Sequence, residues 1–138
     1  MGNAFGNIKD LQTDEVMETE GIDLAFGNDR FITIARAGGA NRKYRTTLSA
    51  LAKPHKSAME RGSLDEKTAT EMMHKVYARA VVLDWRGWAD AEGNPIPCTE
   101  ENIIALFEAA PTVFDAVRDE SDKFSNFTTE EVKEAGNE

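Results

Sequence analysis

Side chains that carry chemistry are scarce in this sequence. It has one cysteine, Cys98, and two histidines, His55 and His74. No intrachain disulfide can form, a reducing compartment is the simpler assumption, and the three soft ligands have no zinc-like spacing. Neither histidine sits in a nucleophile–base motif, and both are expected as surface or partly buried helix residues. Gly38-Gly39 is not followed by the Gly-Lys-Ser/Thr run of a phosphate loop. Asp84, Asp90, Glu92 and Asn94 invite a calcium reading, yet the spacing lacks the glycine and glutamate that an EF-hand loop needs. The expectation is therefore a protein with no catalytic residue, no cofactor and no metal. Long apolar runs are missing too. The longest, from Ala78 to Leu83, is interrupted by Arg79, whereas a bilayer span needs roughly 18 apolar residues. Met1 to Asp10 lacks the basic start and apolar run of a secretory signal, so the expected location is cytoplasmic.

Charge is plentiful and unevenly placed. The formal net charge is -9, from 25 acids against 16 bases, which argues against free nucleic acid as a partner. Asp29 to Arg61 holds eight Lys/Arg against two Asp/Glu, a net of +6, while Gly87 to Glu138 holds three against thirteen, a net of -10. Such polarity is either two solvated faces or a pair of complementary ends that attract each other in head-to-tail self-association.

The 138 residues fit one domain. Residues 1–20 carry five acids and few large apolar groups, and are expected as a flexible acidic arm. Residues 21–127 are expected as a single α+β domain, mostly α: a β-hairpin packed on a small helical bundle. In the hairpin, Ile22, Leu24 and Phe26 alternate with polar or small residues, Gly27-Asn28-Asp29 supplies the turn, and Ile32 and Ile34 return on one face. After Gly38-Gly39 the period changes to 3.6. One helix is predicted over Asn41–Ala52, ended or kinked by Pro54. A second opens with a Ser63/Glu66 capping box and carries Ala69, Met72, Met73, Val76, Tyr77, Ala80 and Val81 on one face to a junction near Trp85. Its methionines read as core rather than as a partner groove. Arg86 to Pro97 reads as a loop. Thr99 caps a helix bearing Ile103, Ile104, Leu106 and Phe107, which Pro111 ends; another starts at Thr112 with Phe114 and Val117 inward. Thr128 with Glu131 marks a second capping box, opening an acidic helical tail over 128–138.

Candidate partner-binding residues are Arg42, Lys43 and Arg45 in the basic segment, and Trp85 and Trp88 at the helix-to-loop junction. The two tryptophans are either plugs beneath the loop or partner anchors, since exposed Trp is enriched at interface hot spots.

This junction resembles a known family. Val82-Leu83-Asp84-Trp85-Arg86-Gly87-Trp88, then Asp90, Gly93-Asn94-Pro95-Ile96-Pro97 and Thr99-Glu100-Glu101-Asn102 are similar to the tail assembly chaperones of long-tailed bacteriophages. That pattern is a helix ending in Leu-x-Asp-Trp-x-Gly, a loop with Asp-x-x-Gly-x-x-Ile-Pro and a Thr-x-Glu-Asn helix start. The likeness extends outward to the early hairpin, Asn41 to Tyr44, Lys53-Pro54 and Asn126-Phe127. Two tryptophans in the motif and the long acidic arm are departures from it.

The resemblance implies a non-enzymatic assembly factor that binds the tape measure protein, keeps it soluble and promotes assembly of the tail tube around it. Such a factor works in the host cytoplasm and is absent from the mature virion. It touches neither nucleic acid nor membrane. The tail tube protein becomes a partner through a frameshifted longer form, and Ala135-Gly136-Asn137 permits a slippery G-GGA-AAC run. The alternative is an acidic structural tail or head-completion protein retained in the virion. A third class is an acidic inhibitor of a host nucleic-acid enzyme.

Overall fold

The computed structural model describes residues 4–128. Three strands form one antiparallel sheet in the order β1-β2-β3: β1 is Ile22–Ala25, β2 is Phe31–Ile34 and β3 is Val82–Arg86. The helices are α1 (Glu15–Glu20), α2 (Arg42–Ala52), α3 (Lys56–Glu60), α4 (Glu66–Ala80), α5 (Glu100–Ala109) and α6 (Pro111–Asp122). The fold is α+β and mostly helical, as the period switch after Gly39 predicts. Among the described residues no helix is long and apolar enough to cross a membrane.

The hairpin forms where expected because its alternation and its turn agree. Asn28 and Asp29 both take positive φ, 52° and 60°, as a tight turn between twisted strands requires. In register, Ile22 faces Ile34 and Leu24 faces Ile32, so one face of the pair is aliphatic. Ile32 and Ile34 are wholly buried, in one cluster with Val76, Val81, Val82, Ile103, Phe107, Phe114 and Val117. Each such side chain contributes roughly 1.5–3 kcal/mol relative to exposure.

The stretch predicted to continue as helix to Trp85 departs from expectation. α4 stops at Ala80, and Val82–Arg86 pairs with β2 as a third strand, with Ile32 opposite Trp85 and Thr33 opposite Asp84. Val81, Val82 and Leu83 fit a helix or a strand by local pattern; the open edge of β2 decides between them. The cap of α4 also differs. Asp65, not Ser63, accepts the Thr68 amide, while the Ser63 hydroxyl turns back to the Ala58 carbonyl. Pro54 sits in a 3-10 turn, Lys53–His55, that leads into α3, and Pro111 ends α5 by starting α6. The Thr99 hydroxyl accepts the Asn102 amide as expected.

The acidic arm expected over 1–20 departs from that picture in its second half. Asp14 caps α1 by accepting the Val16 and Met17 amides, and its own amide donates to the Phe127 carbonyl at 2.7 Å. Glu18 is 2% exposed and meets Arg36 at 2.5 Å. Successive amides of Ala35, Arg36 and Ala37 donate to Val81, Glu18 and Ser121, which ties the exit of β2 to three parts of the chain. A negative residue count alone reads as solvated, because it does not register that one carboxylate has a guanidinium waiting. At the other terminus the Thr128 hydroxyl donates to the Ser125 carbonyl, and the acidic tail predicted from there lies outside the described residues from 129 onward.

Candidate partner-binding surface

The predicted site residues fall into two groups at opposite ends of the sheet layer. Trp88 sits at the Phe31 end of β2; Arg42, Lys43 and Arg45 lie beyond its Ile34 end. The structure does not bring the tryptophans and the basic residues together.

The tryptophan end is built from the loop that follows β3. Trp85 and Trp88 are half-buried, with ring centroids 5.9 Å apart. The Trp85 indole N–H donates to the Ile96 carbonyl at 2.8 Å, and that of Trp88 to the Phe31 carbonyl at 3.1 Å. Phe26 meets Trp88 edge-on at 5.6 Å and the Arg30 guanidinium lies 5.5 Å from the same ring. Between them Gly87 has φ 84°, and a Cβ there would stand 2.0 Å from the Asp29 carbonyl oxygen, so this position takes no side chain. Asp90 closes the loop: its Oδ1 accepts the amides of Glu92 and Asn94. The Asn94 amide, first, and then that of Glu92 hold the Asp90 carboxyl below its usual range. Of the oxygens that suggested calcium, Asp90 Oδ1 serves this turn and Asp84 Oδ1 accepts the Trp85 amide, and among the described residues no three His, Cys, Asp or Glu form a group that could hold a metal ion. Burial pushes the Cys98 thiol up to about 11, which keeps it protonated at neutral pH.

The basic end is built on the first turn of α2. Asn41 occupies the N-cap position, yet its side chain turns inward and donates to the carbonyls of Arg36 and Ala80, both at 2.8 Å. This fixes the start of α2 against the last residue of α4. Arg42, Lys43 and Arg45 are exposed. Arg42 and Arg45 share an open cleft of about 620 Å³ with Thr13, Glu15 and Arg36, and Arg45 also donates to the Gly39 carbonyl. Lys43 points to a separate cleft with Arg79 and Glu100, which form an ion pair with each other.

A third feature was not singled out by the sequence. An open cleft of about 670 Å³ runs between α4 and α5, lined by Glu66, Lys67, Thr70, Glu71, His74 and Glu108. His74, expected at the surface or partly buried, is only 6% exposed. Phe114 meets its ring at 4.6 Å and Phe107 at 5.5 Å. Its Nδ1 finds no partner among the described residues. Burial holds the imidazole below its usual pKa, opposed by Glu108 and then Glu71. The i, i+3 spacing of Glu71 and His74 was legible; their meeting with Glu108, from another helix, was not.

A family model described as YdaY prophage protein matches residues 39–137. The matched stretch starts just before α2 and takes in β3 and the basic, acidic and tryptophan features above, but not β1 or β2. No curated protein and no solved structure matches.

Proposed function

The chain belongs to the YdaY prophage protein family, and from that premise we propose that it is a tail assembly chaperone. It binds the tape measure protein, acts without catalysis, associates with itself, and is shed before the particle is complete. In a longer, frameshifted form it also engages the tail tube protein.

The observation that carries this reading is the segment Leu83 to Asn102. Its motif residues act as one unit: Asp84 and Trp85 on β3, Gly87 at the close approach to Asp29, Asp90 and Gly93 in the turn, Ile96 accepting from Trp85, and Thr99 capping α5. A motif most of whose members share structural tasks in one segment is a stronger likeness than separate short matches. The basic middle and acidic C-terminal part of the sequence suit a protein that coats a long helical partner in many copies, since linked weak contacts multiply avidity.

The test is co-expression with the tape measure protein of the same prophage. The expected result is that the tape measure stays in the soluble fraction and co-purifies with this chain. A tape measure equally insoluble with and without it, together with stoichiometric amounts of this chain in purified virions, would overturn the proposal in favour of a structural tail protein.

A further inference from the structure

The two charged features of the helical layer lie at different places along α4. Asn41 bonds the carbonyl of Ala80, the last residue of α4, so the Arg42–Arg45 turn sits at the C-terminal end of α4. Glu66 and Glu71, with Glu108 of α5, sit toward its start. Along α4 the cleft runs from Glu66 to His74, roughly 20 to 9 Å before Ala80 at 1.5 Å rise per residue, and the cleft that Arg42 and Arg45 line shares no residue with it.

The acidic cleft has a second property besides charge. His74 lines it, is more than nine-tenths buried, and leaves Nδ1 unpartnered among the described residues. A buried polar atom without a partner is destabilising. Because burial disfavours the imidazolium, the ring is neutral near pH 7 and able to accept a hydrogen bond. An ammonium or guanidinium entering the cleft supplies a counter-charge for the three carboxylates and, once the His74 ring turns its buried Nδ1 outward, a donor for that nitrogen. Lys67 is also present, but it reaches Glu71 only at 3.9 Å with its side chain 84% exposed, a pair worth little. Lys53 and Lys56 belong to the segment around the end of α2, on another cleft.

We infer that the α4–α5 cleft, with Glu66, Glu71 and Glu108 around the buried His74, receives the Arg42–Arg45 end of a second copy of this chain, so that copies associate head to tail. The occupant is a second copy because the chain itself carries the complementary group, exposed and fixed on the first turn of a helix. The contact joins two different surfaces, so it leaves an unused cleft at one end of the pair and an unused basic end at the other, and association continues into chains or rings. This names the surfaces for the self-association that the proposed function uses.

The experiment is sedimentation velocity on the purified chain alone, so its failure is separate from any failure of tape measure binding. The parent is expected to associate with rising concentration at about 0.05 M salt and to dissociate near 1 M, where the screening length falls to roughly 3 Å. Glu71→Lys with Glu108→Lys, and separately Arg42→Glu with Arg45→Glu, are each expected to weaken association by about tenfold or more. An equimolar mixture of the two variants is expected to regain it, because each restores the charge complement of the other. Asp115→Lys with Asp119→Lys, on α6 outside the cleft, is expected to leave it unchanged. A parent that is monomeric throughout, a mixture that does not recover, or an α6 variant as impaired as the cleft variant would overturn the inference.

Discussion

Near the hairpin turn, Trp85, Trp88 and Gly87 are turned inward, with two indole N–H groups closed on backbone carbonyls and a glycine that admits the Asp29 carbonyl, while the exposed Asp90 carboxylate holds the turn that follows. Around the start of α2 the arrangement is reversed. There the backbone is fixed from beneath by Asn41, while Arg42, Lys43 and Arg45 stand exposed above it. The difference teaches which residues serve the fold and which are left for partners. Tryptophan is the residue most often found at interface hot spots, yet here both rings complete the intramolecular loop. Arginine and lysine add little to folding at the surface, and they are what this chain presents.

Substitutions at the two ends should therefore differ sharply. The largest effect is expected for Gly87→Ala, which forces a side chain both into positive φ and onto the Asp29 carbonyl; a loss of about 3 kcal/mol or more is expected by urea denaturation. Trp85→Ala follows, at about 3 kcal/mol, for lost packing and an Ile96 carbonyl left without its donor. Trp85→Phe should recover most of this and isolate the hydrogen bond, at about 1 kcal/mol. A Trp85→Ala protein that melts like the parent but no longer binds the tape measure would reverse the comparison and make the ring a surface anchor.

A smaller effect is expected from pH. The pKa of His74 in the fold lies below its ordinary 6.5, chiefly through burial. The unfolded chain then binds the proton first, so stability is complete above about pH 6.5 and declines as pH falls from there toward the lowered value. His74→Leu should flatten the melting temperature over that interval. The carboxyl of Asp23, held low first by the Thr33 hydroxyl and then by Arg86, titrates in more acid solution and leaves this window clear. Unchanged pH dependence in His74→Leu would show that the imidazole is solvated rather than buried.

The smallest effect on folding is expected for Arg42→Glu, Lys43→Glu and Arg45→Glu together, within about 0.5 kcal/mol per position, alongside a clear loss of salt-sensitive association. If the triple variant unfolds instead, the basic turn belongs with the tryptophan end as part of the folded framework.

What could be read from the residues alone was what depends on near neighbours. Alternation of Ile22, Leu24, Ile32 and Ile34 with a Gly-Asn-Asp turn specifies a hairpin, the Thr99 hydroxyl three residues before Asn102 specifies a helix start, and Ile103 with Phe107 on one helix and Phe114 with Val117 on the next stand at helical spacing on the buried side. The placement of charge along the chain was equally plain. Only the tertiary structure decided the rest, because each remaining feature needs a partner distant in sequence. Val82–Arg86 is a strand because β2, some fifty residues earlier, offers an unpaired edge. Glu18 leaves the solvent because Arg36 meets it. His74, Glu71 and Glu108 become one cleft because α5 packs along α4. Local pattern sets what a segment is able to become, and the energy of non-local pairing and burial selects which of those forms the chain adopts.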